Sequence, residues 1–504
     1  MMRRGFQWLV LLLASGLLAA CARAPVASVS TADRTAIEAR LRADIAVLAS
    51  DDFGGRKPGT PGEEKTLAYI EKRFTEIGLV SGTGDPGSYW RMPVELVSTR
   101  PLSSRITLGK GRRMVTVAEN EGVGFTSRRR ALAAGGPATG VPVVFVGNED
   151  GAQLGDAMAG AVAVMLADPG SDGPRRAALF AQRATAVVTI VPDDATITRL
   201  RRAGSRERVR LASEDQDNLS AYITDAAFAA AIGKARWERL KADAKLADFA
   251  PLEINLAMTL EAASERRAFT SYNLVGMIPG KVPGSGAVML LGHWDHLGEC
   301  GAPEAEDRIC NGAADNASGI ASMLEMARRI KAGPPLARDV YLLATSAEES
   351  GLLGARAFAA APPLPLSSIV AAFNFDMITI APAGSALGFI GRGRTPALDQ
   401  VIIDHIARSG RVLGDQALAD SFVQRHDGAA LLNSGVPTVL LSSSYGTRDI
   451  LQPFLSSRYH RPSDQVEALD LSGAVDDLLL HEGLVRIVAD PAQYQPRAAE
   501  GTAP

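Results

Sequence analysis

Six histidines occur in this 504-residue chain: His293, His296, His405, His426, His460 and His481. All lie beyond residue 292, so any imidazole chemistry belongs to the second half. Acidic residues gather around them in five segments. These are Gly292-His293-Trp294-Asp295-His296, Asp315-Asn316-Ala317-Ser318-Gly319, Ser346-Ala347-Glu348-Glu349, Asp376 after an apolar run, and Tyr459-His460-Arg461-Pro462-Ser463-Asp464. Each segment alone has a plain reading: a surface His-x-Asp pair, a solvated helix start, a capping aspartate at a strand end. Two imidazoles and three carboxylates drawn from them make a donor set that suits Zn²⁺ and in which a carboxylate can bridge two ions.

The elements that must position these side chains are legible as a strand–helix alternation from Ser271 onward. Strands are expected at Tyr272–Ile278, Ala287–Leu291, Asp339–Thr345, Ile369–Phe375 and Pro437–Leu441. Helices are expected at Ser318–Lys331, Gly351–Ala361, Pro396–Arg408, Gly428–Ser434 and Leu471–Ala489. The pattern implies an α/β sandwich with a mostly parallel, mixed central sheet and helices on both faces. In such folds ligands sit at the carboxyl ends of the strands, where three of the five segments begin. Upstream, Ile37, Leu41, Ile45 and Leu48 recur at helical spacing, and a second amphipathic helix runs from about Glu63 to Ile77 before Gly78. Between residues 115 and 262, short apolar runs separated by Gly, Asp and Pro read as a small β-rich domain.

Composition is that of a globular protein, 46% hydrophobic and 22% charged, with a formal net charge of −3. No basic excess points to nucleic acid. At roughly 150 residues per domain the length allows about three. Arg3 and Arg4 precede an apolar stretch from Phe6 to Leu18, as in a secretory signal, and the stretch falls short of the about 20 apolar residues of a membrane span. Leu18-Ala19-Ala20-Cys21 resembles the lipobox of bacterial lipoproteins; an ordinary cleaved signal with a chance cysteine is the competing reading. Lipidation of Cys21 would make residues 21–32 a tether and hold the body at a membrane, with Ala22 directing it to the outer one. Cys300 and Cys310 then remain, either as a disulfide in an oxidising compartment or as two soft metal ligands.

The five segments also carry a family resemblance. The chain resembles the co-catalytic di-zinc aminopeptidases, a group related to glutamate carboxypeptidase, in Gly292–His296, Asp315–Gly319, Glu348-Glu349, Asn374-Phe375-Asp376-Met377 and Tyr459–Asp464. Leu48–Asp51 and Gly55–Gly62 are similar to the family's N-terminal segment, and 115–262 would match its inserted protease-associated domain. The domain plan implied is a signal at 1–20, a tether at 21–32, a catalytic domain at 33–114 and 263–492, the insert at 115–262, and a tail at 493–504.

Carried over residue by residue, the resemblance implies two zinc ions. His293, Asp315 and Asp376 would hold one, and Asp315, Glu349 and His460 the other, with Asp315 bridging. Glu348 would be the general base and later the proton donor, Asp295 would orient the His293 ring, and Tyr459 would hydrogen-bond the developing oxyanion. The sequence departs from the family at Thr379, commonly Gly, and at Arg425-His426-Asp427-Gly428, where Ser-Asp-His is common. His296 and His426 are read as supporting or structural, and His405 and His481 as helix-surface residues.

Gly-x-Ser-x-Gly and His-Glu-x-x-His are absent, and Gly276 to Lys281 is one residue short of a phosphate-binding loop. The function implied is a zinc exopeptidase acting on peptides, foremost an aminopeptidase. A carboxypeptidase or dipeptidase, a glutaminyl cyclase-type acyltransferase and a non-catalytic receptor-like protein are the alternatives.

Overall fold

Apolar runs between Gly and Pro signals suit strands covered on both faces, because such strands need no polar side. The computed structural model describes residues 30–496 except 86, 111–112, 136–138 and 150–157, and it forms strands at each of the expected runs. The signal at 1–20, Cys21, the tether as far as residue 29 and residues 497–504 of the tail lie outside the described residues. Two compact units divide the chain, one comprising residues up to Pro93 and from Tyr272 onward, the other Val94–Ser271. The second is wider at both ends than 115–262 because most of the strands Arg91–Lys110 and Ala257–Ile278 belongs to it.

The first unit opens with helices α1 (Thr31–Leu48) and α2 (Pro61–Ile77). Pro61 sits in the first turn of α2, and Gly78 ends it in the left-handed region (φ 79°), donating to the carbonyls of Phe74 and Thr75. There follow β1 (Ala257–Ile278, of which 272–278 belong here), β2 (Ala287–His293), α3 (Ser318–Ala332), β3 (Asp339–Thr345), α4 (Leu353–Ala360), β4 (Ile369–Asn374) and β5 (Gly388–Ile390). The unit closes with α5 (Pro396–Arg408), α6 (Gly428–Asn433), β6 (Thr438–Ser442), α7 (Arg448–Ser457) and α8 (Ser472–Val488).

The sheet order within this unit is β5-β6-β4-β2-β3-β1. The four inner strands are parallel, and β5 and β1 close the edges antiparallel. Leu291 lies opposite both Leu343 and Asn374, and His293 opposite Thr345, so β2 and β3 end level and β4 ends two residues short of them. Alternate residues feed two cores. Val288, Leu290, Val340, Leu342 and Phe373 pack with Ile37, Leu41 and Ile45 of α1, whereas Met289, Leu291, Leu343 and Ala372 pack with Phe358 of α4 and Leu431 of α6. Burial of this kind stabilises by about 1.5–3 kcal/mol per large side chain.

His405 and His481 are not surface residues. Both are buried, His405 where α5 meets Gly483 of α8, and His481 with its ring against Phe375 (4.8 Å) and Phe373 (5.8 Å). Helical spacing alone could not show that α8 is covered on this side too. The His481 Nδ1–H donates to the Asp477 carbonyl at 2.7 Å, and burial pushes its pKa down to about 4. A histidine with a depressed folded pKa stabilises fully above its unfolded value, near 6.5, and that stability is lost as pH falls through the folded value. His481 therefore withdraws about 3 kcal/mol between pH 6.5 and 4. Urea unfolding of the metal-free chain at pH 7 and pH 4.5 is expected to show a smaller drop for His481→Gln than for the wild type.

The second unit has a six-stranded sheet in the order Leu252–Glu253, Val143–Gly147, Val162–Leu166, Ala186–Val191, Leu219–Thr224 and Gly122–Phe125. Its four inner strands are parallel, and helices Asp172–Ala181, Asp194–Gly204, Asp225–Ile232 and Lys234–Asp243 accompany them. It holds no histidine.

Candidate metal centre

Three neighbouring strand ends and two loops deliver the acidic and imidazole side chains to one place. His293 is the last residue of β2, Glu348 and Glu349 follow β3, Asp376 follows β4, Asp315 precedes α3, and His460 lies beyond α7. The backbone is left-handed at Arg56, Ala347, Met377 and His460, four of the seven non-glycine residues with positive φ among those described. Strained backbone of this kind gathers where a fold fixes functional side chains. The Asp315–Asn316 peptide bond is cis.

The Asp315 carboxylate is divided between two groups. Its Oδ1 lies 3.3 Å from His293 Nε2, which is itself 3.5 Å from Asp376 Oδ1. Its Oδ2 lies 3.4 Å from His460 Nε2, which is 2.9 Å from Glu349 Oε2. His296, read from the sequence as a supporting or structural residue, also reaches this cluster, with Nδ1 at 2.6 Å from Glu349 Oε1. Donor atoms of His293, Asp315 and Asp376 form one group able to hold a metal ion, and those of His296, Asp315 and Glu349 a second.

These atoms approach one another without being aligned for hydrogen bonds. Asp376 Oδ1, Glu349 Oε1, His296 Nδ1 and His460 Nε2 are buried and have no hydrogen-bond partner among the described residues. Buried polar atoms are rarely left so. Donors that converge without pairing fit cations placed among them, and carboxylates with imidazoles are zinc donors. Burial works against the Asp315 carboxylate, but the imidazoles of His293 and His460 outweigh it and hold the group well below the usual range. Asp376 is raised, chiefly by burial, which the His293 imidazole only partly offsets.

Supporting contacts fix the donors. The His293 Nδ1–H donates to the backbone carbonyl of Asp295 at 3.0 Å, while the Asp295 carboxylate is 4.0 Å from that nitrogen. Asp295 therefore meets the ring through its main chain. Its Oδ1 instead accepts the backbone N–H of Glu348 at 3.0 Å, and burial pushes its pKa up to about 8. Glu348 lines one small cavity with His293, Asp315, Asp376, Tyr445 and Tyr459. Burial, with the charges of Asp427 and Glu349, raises the Glu348 carboxyl well above its ordinary value, against the opposing His293. The Tyr459 ring stacks on His460 at 3.7 Å, and burial pushes its phenol upward. Cys300 and Cys310 are joined as a disulfide, with Cα atoms 5.7 Å apart.

Several residues that organise the centre have no role assigned in the sequence reading. Asp464 accepts the backbone N–H groups of Ala314 and Asp315, each at 3.1 Å. Asn316 ties the loop after β4 by donating to the Phe375 carbonyl at 2.8 Å, and Asn273 accepts the Ser346 N–H at 2.9 Å. Arg56 is 1% exposed and donates to the carbonyls of Leu48 (2.8 Å), Trp294 (2.8 Å), Asn311 (2.5 Å) and Gly312 (2.9 Å). Burial lowers its pKa to about 10, opposed by Asp315, Asp295 and Asp464, so it stays charged at neutral pH. The sequence offered a signal for Asp464 and Arg56 only as members of motifs. Arg56→Met is expected to cost about 3–5 kcal/mol in urea unfolding, since four buried carbonyls lose their donor. Arg56→Lys is expected to recover little of it, because an ammonium cannot span four directions.

The fold is an α/β unit with a mostly parallel central sheet, and residues from its strand ends and loops form two groups able to hold a metal ion. Residues 273–478, which carry every proposed donor, match the family model described as Peptidase family M28. Among solved structures, the aminopeptidase from Aneurinibacillus sp. strain AM-1 is 20% identical, with 92% of this chain and 96% of that chain covered and a TM-score of 0.54. The zinc aminopeptidase from Bacillus subtilis is 18% identical over 91% of this chain and 97% of that one, with a TM-score of 0.45. No curated protein sequence matches the chain. The segment bearing the site is thus similar in sequence to the M28 peptidase family, and the chain shares its fold with a solved aminopeptidase.

Proposed function

We propose that the chain is a two-zinc exopeptidase that removes N-terminal residues from peptides. The observation that carries this reading is the divided Asp315 carboxylate, with one oxygen toward His293 and Asp376 and the other toward Glu349 and His460. Zinc held there would polarise a scissile carbonyl and lower the pKa of a water toward neutrality. Glu348 as the carboxylate would take the water proton, and the burial that raises its proton affinity would favour holding that proton until it passes to the leaving amine. The Tyr459 hydroxyl, in the same cavity, donates to the developing oxyanion. Phe422 and Leu455 line that cavity and offer an apolar contact to the substrate side chain.

One observation favours a second reading. Arg425 also lines the cavity and lies over the Phe422 ring at 5.0 Å, a cation that suits a substrate carboxylate. A carboxypeptidase or dipeptidase would use it so. Export, lipidation at Cys21 with attachment to an outer membrane, and a protease-associated identity for the insert complete the proposal. They are supported by the signal-like N-terminus and by the separate second unit.

The test uses the chain from residue 22 on aminoacyl amides, on N-blocked peptides with a free C-terminus, and on N-terminal glutaminyl peptides. Release of N-terminal amino acids is expected, abolished by a chelator and restored by zinc. Cleavage of the blocked peptides alone, or cyclised product, would replace the aminopeptidase reading.

A further inference from the structure

A cavity of about 380 Å³, in the size class of small-ligand sites, lies within the second unit. It is built by regular elements. Gly173, Arg176, Ala177 and Phe180 fall on one face of helix Asp172–Ala181 at spacings of three and four. Arg208 and Arg210 are two apart on the strand Arg208–Leu211 and so share a face, while Ser220 and Tyr222 do the same on Leu219–Thr224.

Three guanidinium groups line this cavity, and among the described residues none is ion-paired. Arg176 lies over the Tyr222 ring at 4.7 Å and donates to Thr189 Oγ1 at 3.0 Å. Arg208 has a single long contact, 3.5 Å to the Ala203 carbonyl. Of the nearby carboxylates, Asp215 pairs with Arg266 at 2.7 Å and Asp217 accepts the Thr126 hydroxyl at 2.9 Å, while Glu214 lines the cavity beside the three arginines. The wider segment 199–210 holds six arginines against one acid, Glu207. Phe125, Phe180 and Tyr222 add aromatic surface, and Gln216 and Asn218 add amide groups.

We infer that this cavity is a binding site, separate from the candidate metal centre, for a short peptide bearing a carboxylate. The arginines take the carboxylate in forked hydrogen bonds, the amide side chains pair with peptide groups, and the aromatic rings hold an apolar side chain. The carboxylate is either a C-terminus or an acidic side chain, since the recognising chemistry is the same.

Calorimetric titration of the zinc-loaded chain tests this with N-acetyl-Glu-Tyr-amide, N-acetyl-Gln-Tyr with a free C-terminus, and neutral N-acetyl-Gln-Tyr-amide. Either acidic probe is expected to bind about tenfold or more tighter than the neutral one. Two variants locate the site. Arg208→Gln with Arg210→Gln removes charge, and Gly173→Leu fills the cavity from a helical position where an added Cβ meets nothing within 4 Å. Both are expected to weaken the acidic probe about tenfold or more, with the melting temperature and the hydrolysis of aminoacyl amides unchanged. Equal binding of the neutral probe, no binding of any probe, or acidic-probe binding that survives both variants and is lost with a chelator would overturn the proposal.

Discussion

Glu348→Gln is expected to lower kcat by about a thousandfold or more while zinc content stays at the wild-type level. The amide keeps the size and shape of the side chain, and the backbone N–H of residue 348 still reaches Asp295 Oδ1. What is lost is the ability to accept a proton from water and return it to the amine. General acid–base groups are worth about 10²–10⁴ in rate, and one group serving both transfers belongs at the upper end. Because residue 348 is not among the donors grouped around Asp315, KM is expected to change little. Measurement of kcat, KM and zinc by mass spectrometry on the same preparation checks all three. Full activity in this variant would remove Glu348 as the base.

Asp315→Ala is expected to abolish activity and to remove zinc from the His293 side. Asp315 is the one residue common to both donor groups, so its loss takes a ligand from each. Without it the first group keeps only His293 and Asp376, whereas Glu349 still has His296 and His460 beside it. Structural and catalytic zinc sites use three or four protein ligands. By contrast Glu349→Ala strikes one group only, and is expected to leave zinc at the His293 side. Titration of metal-free variants with zinc, followed by absorption-edge scattering from crystals, separates the two: zinc is expected beside His293 in Glu349→Ala and not in Asp315→Ala.

Much of this centre was legible because its donors follow strands whose apolar runs are plain in the sequence. The run Ala287–Leu291 predicts β2, and the structure extends it two residues to include His293. Asp339–Thr345 and Pro396–Arg408 form with the bounds expected. Local sequence specifies such elements, the inner strands by continuous apolar runs buried on both faces and the helices by a pattern that repeats every 3.6 residues. Contacts between distant segments have no such periodic trace. That His296 reaches Glu349, that Asp464 pins the loop of Asp315, and that Arg56 joins four separate carbonyls are facts of tertiary packing. The same limit explains His405 and His481, whose helices look one-sided in sequence but are covered on both sides. Asp295 shows a subtler case: the residue type suggested a carboxylate–imidazole contact, whereas the fold uses the carbonyl of the same residue.

The central claim is that Asp315 stands between two zinc ions. Anomalous X-ray scattering at the zinc edge, from crystals of the chain purified with zinc, measures this directly. The account predicts two peaks per chain, one beside each oxygen of Asp315, the first contacting His293 and Asp376 and the second contacting Glu349. A single peak, or two peaks that do not share Asp315, would contradict it.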